Sequence, residues 1–231
     1  MKILVIGRNG YLGKKFCETL NNLSLGVSSA IGRGDFDYYN KFLLSNFIIS
    51  NKINFLINCA GYTGKPNVDA CESAKYECLH GNSVLPGIIQ DVCEDLKIPW
   101  GHVSSGCIYS GRRPDGGGWK EEDEPNFSFR SSPCSFYSGT KALCEKMILK
   151  HNPRSYIFRL RIPFDEHKSQ RNFLTKLLSY DKLLNAENSL SHRGDFAKYV
   201  IDLLEKKVPH GIYNITNRGS VDTKSVIDLI K

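Results

Sequence analysis

The 231-residue chain has no apolar run of about 18 residues, no block of five or more basic residues and no Cys-x-x-Cys pair. A membrane-spanning helix needs about 20 apolar residues, so we expect no span. A nucleic-acid-binding arm usually carries clustered Lys and Arg, whereas the basic residues here are scattered, so we expect no nucleic-acid partner. The formal charge of +7 is then either an ordinary solvated surface or a match for an anionic, phosphate-bearing ligand.

The eight cysteines are dispersed, and several fall in apolar stretches. Cysteines used in this way act as small core hydrophobes in a reducing compartment. The N-terminal apolar run is too short for a signal peptide and leads directly into a glycine motif, so we expect a cytoplasmic protein. The six histidines show no metal-ligand spacing, so no metal site is predicted.

Short apolar runs alternate with helical periodicity from the first residue onward. These runs are rich in Ile, Val, Leu and Phe, as in strands buried on both faces. The predicted strands are 2–6, 25–31, 54–59, 99–104 and 155–160, and the predicted helices are 12–22, 39–50, 83–96 and 135–150. This order predicts an α/β fold with a Rossmann-type doubly wound parallel sheet and right-handed crossovers.

Residues 109–134 are rich in Gly, Pro, Ser and charge, which predicts a long loop bordering the active site. Beyond residue 161 the pattern predicts helices at 171–184, 194–207 and 221–231, with a strand at 211–217. We therefore expect an NADP-binding Rossmann domain over 1–161 and a small C-terminal substrate-binding lobe over 162–231, interleaved in one compact unit.

A glycine-rich turn follows the first predicted strand and opens the first helix. Its glycines allow a tight bend, close approach of a pyrophosphate and helix–strand packing, with the helix N-terminus facing the phosphates. The expected dinucleotide site comprises Gly7, Arg8, Asn9, Gly10, Tyr11, Leu12 and Gly13. Where NAD-binding proteins place an acid, this chain has Arg33, which with Arg8 suits a 2′-phosphate and favours NADPH over NADH. The acids Asp35 and Asp37 follow, and they could instead lie near the adenine.

Tyr137 and Lys141 form a Tyr-x-x-x-Lys pair that lies on one face of a predicted helix. Tyr11 and Lys15 match the same pattern, so the motif alone decides nothing. Tyr137 is singled out because its helix follows the strand that ends at Ser105, and ligands of open α/β sheets bind beyond the carboxyl ends of strands. Ser105 would hold a carbonyl oxygen, Tyr137 would protonate the developing alkoxide, and Lys141 would lower the pKa of the phenol.

These motifs, with "NCAG" at 58–61 and Asn82, resemble an extended short-chain dehydrogenase/reductase. The stretches "AGYTGKPNVDACESAK", "GCIY", "KEEDEPNF", "SFYSGTKA", "RLRIP", "RNFLTK" and "GIYNITN" resemble a narrower group, the UDP-4-keto-6-deoxyglucose 3,5-epimerase/4-reductases or nucleotide-rhamnose synthases, relatives of dTDP-4-dehydrorhamnose reductase. The similarity runs in order from residue 3 to about residue 230. The family continues beyond the equivalent of the last residue, so we expect a C-terminal lobe shorter than the family's.

The resemblance implies a role for each matching residue. It implies reduction by Ser105, Tyr137 and Lys141, and epimerisation by Cys107 and Lys176. Cofactor contacts are implied for Cys59, Ala60, Gly61, Asn82, Tyr137 and Lys141, and substrate contacts for Tyr62, Thr63, Ser105 and Asn172, the last at the diphosphate. A cysteine thiolate and a lysine on opposite faces of a 4-keto sugar could invert the carbons flanking its carbonyl, with a nearby cation such as Lys176 favouring the thiolate.

The resemblance is compatible with a homodimer and with functional coupling to a 4,6-dehydratase that supplies the 4-keto sugar. Two alternatives stay open. The chain could be a monofunctional 4-reductase in which Cys107 is only a small core hydrophobe. It could also be a non-catalytic NADP-binding regulatory subunit, although an intact set of Ser105, Tyr137 and Lys141 argues against a pure binder.

Overall fold

A six-stranded parallel sheet forms the centre of the molecule. The computed structural model describes residues 1–23, 29–131, 133–151 and 154–230, apart from the side chain of residue 151. The strands are β1 (Ile3–Ile6), β2 (Ser29–Ile31), β3 (Phe55–Asn58), β4 (Trp100–Ser105), β5 (Ser155–Leu160) and β9 (Gly211–Asn214). Their order is β2-β1-β3-β4-β5-β9, all parallel. The predicted Rossmann-type architecture is confirmed, and the order reverses beside β1, where open α/β sheets bind ligands.

Helices cover both faces of this sheet. The longer ones are α1 (Tyr11–Asn22), α2 (Lys41–Ser50), α4 (Leu85–Asp95), α5 (Phe136–His151), α7 (Arg193–Glu205) and α8 (Thr223–Ile230). Shorter helices are α3 (Lys75–Leu79) and α6 (Phe173–Leu177). Side chains of α1 and α7 pack on one face, and those of α2, α4 and α5 pack on the other.

Strand β1 shows why the apolar runs carry no polar alternation. Ile3 and Val5 enter the core shared with α1 and α7, while Leu4 and Ile6 enter the core on the opposite face. Successive strand residues point to opposite faces, so a strand covered on both sides must be apolar throughout. All four residues of β1 are buried.

Small strands of the C-terminal segment pair outside the main sheet. Strand β6 (Pro163–Phe164) pairs in parallel with β8 (Ser191–His192), and β7 (Glu187–Asn188) pairs antiparallel with β10 (Val221–Asp222). Strand β9 joins the edge of the main sheet beside β5, so this segment is interleaved with the Rossmann part.

Two predicted elements differ from the structure. The helix predicted at 171–184 ends at Leu177, and the leucines that continued its periodicity, Leu178 and Leu184, are 61% and 83% exposed. Short helices need tertiary packing to persist, and these leucines lie on the surface. The helix predicted at 221–231 is preceded by β10, because Val221 and Asp222 pair with β7. Residues 25–28 of the predicted second strand, and residue 231, lie outside the described residues.

The pattern also missed an insertion between β3 and α4. A 3₁₀ turn (Val68–Glu72) precedes α3, and a π-helical turn (His80–Val84) joins α3 to α4. Segment 109–134 contains no helix or strand in its described residues, as predicted. It is anchored to the sheet, since Arg159 of β5 donates to the Tyr109 hydroxyl at 2.9 Å and Tyr109 stacks on Trp119. Among the described helices none is long and apolar enough to span a membrane.

Candidate active site

The glycine turn between β1 and α1 is closed too tightly for side chains. A Cβ on Gly7, whose φ is +90°, would lie 2.7 Å from the Ala60 nitrogen, and one on Gly13 would lie 2.1 Å from the Gly7 oxygen. Helix α1 begins after Gly10 with no side-chain cap and no acid in its first turn. Its first N–H groups and the positive end of its dipole therefore suit a pyrophosphate. The residues present fit a dinucleotide.

The two arginines predicted for a 2′-phosphate have different partners. Arg8 donates to the Ala30 carbonyl and forms a 2.8 Å ion pair with Asp35, whose other oxygen accepts from the Gly32 N–H at 2.7 Å. Arg33 is exposed and lies near Tyr38. The Asp35 carboxylate therefore partly neutralises the positive charge of the Arg8 guanidinium.

Ser105 and Tyr137 meet at the carboxyl end of β4. Both are buried, and the Tyr137 side chain lies beside the Ser105 hydroxyl. Ser135 places Tyr137 by capping α5, since its Oγ accepts from the Ser138 N–H at 3.1 Å. Glu72 adds a carboxylate at the same helix end by accepting from the Phe136 N–H at 2.7 Å.

Lys141 lies one turn further along α5 and is 5% exposed. Its ammonium donates to the Val103 carbonyl at 3.1 Å and lies 3.5 Å from Nε2 of His102. Burial lowers the pKa of Lys141, and burial with the nearby lysine charge holds the pKa of His102 well below its usual value. The Nδ1 atom of His102 is 3.1 Å from Asn58, which makes a buried Asn58–His102–Lys141 row.

Burial is the main influence on the pKa of Tyr137, and the predicted effect of Lys141 on it stays a prediction. Burial raises that pKa well above its ordinary value, the nearby Cys107 raises it further, and the Ser105 hydroxyl only partly opposes this. The Lys141 ammonium is itself buried and donates to the Val103 carbonyl. Tyr137 is therefore held as the protonated phenol, the form that a general acid needs.

Cys107 follows Ser105 in a 3₁₀ turn (Gly106–Ile108) and is half-buried. Its N–H donates to the Ser105 Oγ at 3.2 Å, and its side chain packs with Tyr137 in a cluster that includes Cys71 and Cys78. The cation against its sulfur is Arg161, whose Nη1 lies 3.2 Å from Sγ. Sequence reasoning missed Arg161; its place directly after a strand neighbouring β4 was the available signal.

Lys176 was expected to be that cation. It lies in α6, partly buried, and in the described part of the chain its ammonium has no hydrogen bond or ion pair. The structure thus brings Cys107 to Ser105, Tyr137 and Arg161, while the role of Lys176 stays a prediction.

Asn82 ties the loop after β3 to α5. Its side-chain amide accepts from the Tyr62 N–H and donates to the Tyr62 carbonyl, both at 2.9 Å, and lies 3.4 Å from the Thr140 hydroxyl. A Cβ on Gly61 would come within 2.9 Å of this amide. Asn82 is fully buried and so shapes the loop that carries Tyr62. Cys59 continues β3 beside Ala60, and burial raises its pKa well above the usual value.

Asn172 is also engaged within the protein. It caps α6 through the Leu174 N–H, and its amide donates to the Asp165 and His167 carbonyls at 2.6 and 2.7 Å. With 2% exposure it shapes the lobe, and contact with a diphosphate stays a prediction. Thr63 lies nearer the lobe, because Arg171 donates to its carbonyl at 3.2 Å.

Fold and site together define a class. A parallel Rossmann-type sheet with a glycine turn after β1 and a serine, tyrosine and lysine at the end of β4 is the arrangement of the extended short-chain dehydrogenases/reductases. The chain belongs to the RmlD substrate-binding domain family, whose model matches residues 1–228.

Its relatives are enzymes of nucleotide-rhamnose synthesis. It is 33% identical over 239 residues to the Arabidopsis thaliana trifunctional UDP-glucose 4,6-dehydratase/UDP-4-keto-6-deoxy-D-glucose 3,5-epimerase/UDP-4-keto-L-rhamnose-reductase RHM3. The matched region covers 100% of this chain and 34% of RHM3. It is 32% identical to the bifunctional dTDP-4-dehydrorhamnose 3,5-epimerase/dTDP-4-dehydrorhamnose reductase of the same plant, covering 99% and 74%. The chain thus spans about a third of the trifunctional relatives.

Solved structures show the same fold. The L780 UDP-rhamnose synthase of Acanthamoeba polyphaga mimivirus superposes with a TM-score of 0.88 at 24% identity, covering 99% of this chain and 79% of that one. A Bacillus anthracis dTDP-4-dehydrorhamnose reductase in complex with NADP superposes with a TM-score of 0.80 at 19% identity, covering 99% and 81%.

Proposed function

We propose that this chain uses NADPH to reduce the 4-keto group of an NDP-4-keto-6-deoxyhexose and also epimerises C3 and C5, giving an NDP-6-deoxyhexose such as NDP-L-rhamnose. The observation that carries this proposal is the meeting of Ser105, Tyr137 and Cys107 at the end of β4, one helical turn from Lys141. The named activities of the plant relatives support both halves of the reaction.

The cofactor supplies a hydride when it is bound. The tight glycine turn at Gly7, Gly10 and Gly13 would hold its pyrophosphate, and the related Bacillus anthracis structure contains NADP. Arg8 and Arg33 would face a 2′-phosphate, with Asp35 tempering the charge of Arg8.

Three side chains then bind, protonate and electrostatically stabilise the ketone oxygen. The Ser105 hydroxyl donates a hydrogen bond to it, and the buried phenol of Tyr137 delivers its proton as negative charge develops there. The Lys141 ammonium, fixed by the Val103 carbonyl, places positive charge beside the phenolate that remains. Proton delivery of this kind is worth roughly 10²–10⁴-fold in rate.

Epimerisation uses the same ketone without oxidation or reduction. A base removes the proton from C3 or C5, and the C–H electron pair forms an enolate whose charge is on the 4-oxygen near Ser105 and Tyr137. An acid on the other ring face returns a proton to the same carbon, so one C–H bond breaks and one forms. Cys107, which packs against Tyr137 beside Ser105, is proposed as one of these groups, and Lys176 is proposed as the other.

The substrate must come from an enzyme that oxidises C4 and removes the 6-hydroxyl. The trifunctional relatives are named for such a dehydratase in addition to the epimerase and reductase. Functional coupling to a 4,6-dehydratase is therefore part of the proposal, and so is a homodimer.

The test is NMR of the reaction in D₂O with UDP-4-keto-6-deoxyglucose and NADPH. Wild-type protein is expected to give a rhamno-configured product with deuterium at C3 and C5. Cys107→Ala is expected to lose the ring deuterium, whereas Cys134→Ala, at another half-buried cysteine, keeps it.

Two other outcomes are informative. Oxidation of NADPH without ring deuterium in the wild type would leave a monofunctional 4-reductase. No oxidation at all, together with tight NADPH binding, would favour a non-catalytic subunit.

A further inference from the structure

Arg161 occupies the point where the Rossmann sheet, Cys107 and the C-terminal lobe meet. It directly follows β5, which lies beside β4 with Ser105 opposite Leu160. Its Nη1 is 3.2 Å from the Cys107 sulfur, and the side chain passes next to Gly106, where a Cβ would lie in van der Waals contact, 3.4 Å from the Arg161 Cδ. A guanidinium N–H at this distance donates to sulfur, and most strongly to an anionic one.

The guanidinium is held from its other side by the lobe. Asn188 Oδ1 accepts from Nε at 3.1 Å and from Nη2 at 2.5 Å, and Asn188 lies in β7, opposite Val221 of β10. The backbone is fixed too, because Ser191 accepts from the Arg161 N–H at 2.9 Å and donates its own N–H to the Arg161 carbonyl at 2.7 Å. Arg161 therefore has little freedom to turn away from the sulfur.

The next residue adds a conformational constraint. Ile162 has a φ of +42°, a left-handed conformation that a β-branched residue adopts only when its surroundings impose it. Such positions are strained and cluster at functional sites. The bend turns the chain into β6 directly after Arg161.

The partners of the Arg161 guanidinium also differ from those of two other arginines, Arg159 and Arg193. Arg159 pairs with Glu145 at 2.7 Å, and Arg193 pairs with Asp165. In the described ranges of the chain no carboxylate forms an ion pair with Arg161, which contacts only an amide oxygen and the thiol. A thiolate is the anion that would complete this contact.

We propose that Arg161 is a positioning residue for epimerisation: held by Asn188, it donates through Nη1 to Cys107 and fixes the sulfur as the proton-transferring group. This inference rests on the proposed function, because it assigns Arg161 to the epimerase half of that reaction. In this proposal the β7–β10 strand pair of the lobe orients the Arg161 guanidinium toward Cys107, through the hydrogen bonds that Asn188 accepts. Proton removal leaves a thiol and the enolate, and proton return at the other ring face completes the inversion.

The experiment compares Arg161→Gln, Arg161→Lys and Asn188→Ala with Arg112→Gln. Arg112 is an exposed arginine that also contacts β7, through Glu187, and so it is a matched control. Ring deuteration is followed by NMR in D₂O with UDP-4-keto-6-deoxyglucose. Reduction is followed separately as NADPH oxidation with the 3,5-epimerised 4-keto nucleotide, prepared with a stand-alone epimerase.

We expect Arg161→Gln to slow ring deuteration by roughly 10- to 100-fold, the loss expected for a charged hydrogen bond, and to slow reduction much less. Asn188→Ala should show the same imbalance more weakly, Arg161→Lys should recover part of the deuteration, and Arg112→Gln should match the wild type. Added guanidinium should restore part of the deuteration to Arg161→Ala, which a merely structural role would not predict.

Three results would overturn the inference. Unchanged deuteration in Arg161→Gln would separate Arg161 from Cys107. An equal fall in both activities with a raised substrate KM would assign Arg161 to substrate binding. Reduction without ring deuteration in the wild type would remove the epimerase half of the proposed function, and the inference with it.

Discussion

Two helical turns of this molecule have nearly the same sequence and different surroundings. Helix α1 opens with Tyr11-Leu-Gly-Lys-Lys15, and α5 contains Tyr137-Ser-Gly-Thr-Lys141. Both place a tyrosine and a lysine four residues apart with a glycine between them. Only the second pair lies beyond the end of β4, where a hydroxyl and a thiol are also present. Position in the sheet, and not the motif, therefore distinguishes them.

The two tyrosines show the contrast most clearly. The Tyr11 hydroxyl donates to Asp165 at 3.1 Å, and the guanidinium of Arg193 lies 4.3 Å from the centre of its ring. Tyr11 thus joins the glycine turn to the C-terminal segment. Tyr137 is buried against Ser105 and Cys107. The first tyrosine holds parts of the fold together, and the second is the proposed proton donor.

Tyr137→Phe should produce the largest effect. Loss of the proton donor is expected to lower kcat for 4-keto reduction by roughly 10²–10⁴-fold, the range for general acid catalysis. Steady-state NADPH oxidation measures this. Thermal unfolding should change little, because the ring stays packed.

Tyr11→Phe is the matched control for that experiment. It should cost about 1 kcal/mol of unfolding free energy, the value of one hydrogen bond, and change kcat by less than about tenfold. Equal losses of kcat in the two variants would contradict the distinction between the turns.

Lys141→Met should lower reduction by about 100-fold, since it removes an electrostatic group from the site. It should also change the pH dependence of stability. Burial lowers the pKa of Lys141, so wild-type protein gains stability as pH rises from that lowered value toward the ordinary 10.5 of the unfolded chain. Methionine has no charge to lose, so the difference in unfolding free energy should move in favour of the wild type over this range. Denaturant titrations at several pH values measure it, and a difference independent of pH would count against a buried ammonium.

The glycines inside the two turns should respond unequally to alanine. A Cβ on Gly13 meets the Gly7 backbone at 2.1 Å, whereas one on Gly139 meets the ring of Phe129 at 2.2 Å. A backbone cannot move aside, but an aromatic side chain of segment 109–134 can. We expect Gly13→Ala to cost about 3 kcal/mol or more and to weaken NADPH binding. Gly139→Ala should cost about 1 kcal/mol, partly offset by the helix propensity of alanine. Chemical denaturation and NADPH titration distinguish them.

Lys15→Met should have the smallest effect. In the described part of the chain, the ion pair of Lys15 is with Glu18, one turn along α1, at 3.1 Å. Helical pairs at this spacing contribute less than about 0.5 kcal/mol, so stability and NADPH oxidation should both match the wild type. A tenfold loss of activity would mean that the first turn has a chemical role.

Much of the fold could be predicted because burial on two faces leaves an unmistakable pattern. Strand β1 is apolar throughout, every residue of β3, β4 and β5 is buried, and the predicted bounds of all four agree with the structure within one or two residues. The length of helix α6 was overestimated because the helical spacing of leucines continues through Leu178 and Leu184, although α6 ends at Leu177 and both of these leucines are exposed. Helix α3 was missed because five residues are too few to show a period.

The site was predictable only where it follows strand ends. Ser105 and Tyr137 could be placed together from the order of strand and helix. The contact of Arg161 with Cys107 depends on Asn188, 27 residues further along the chain, and no local pattern encodes such a distance. His102 lies against Lys141 and had no predicted role at the site, because a histidine within a buried strand shows no spacing signal.

The π-helical turn at His80–Val84 sets the rotational phase between α3 and α4. Such a turn behaves as one inserted residue, and each residue of an α-helix advances its face by about 100°. Deleting one residue there and restoring a continuous α-helix would rotate α3 by that angle relative to α4. Cys78 would then leave its contact with Thr140, and the wall behind Tyr137 would open. One extra residue in this helical turn thus keeps Cys78 of α3 in contact with α5, the helix that carries Tyr137.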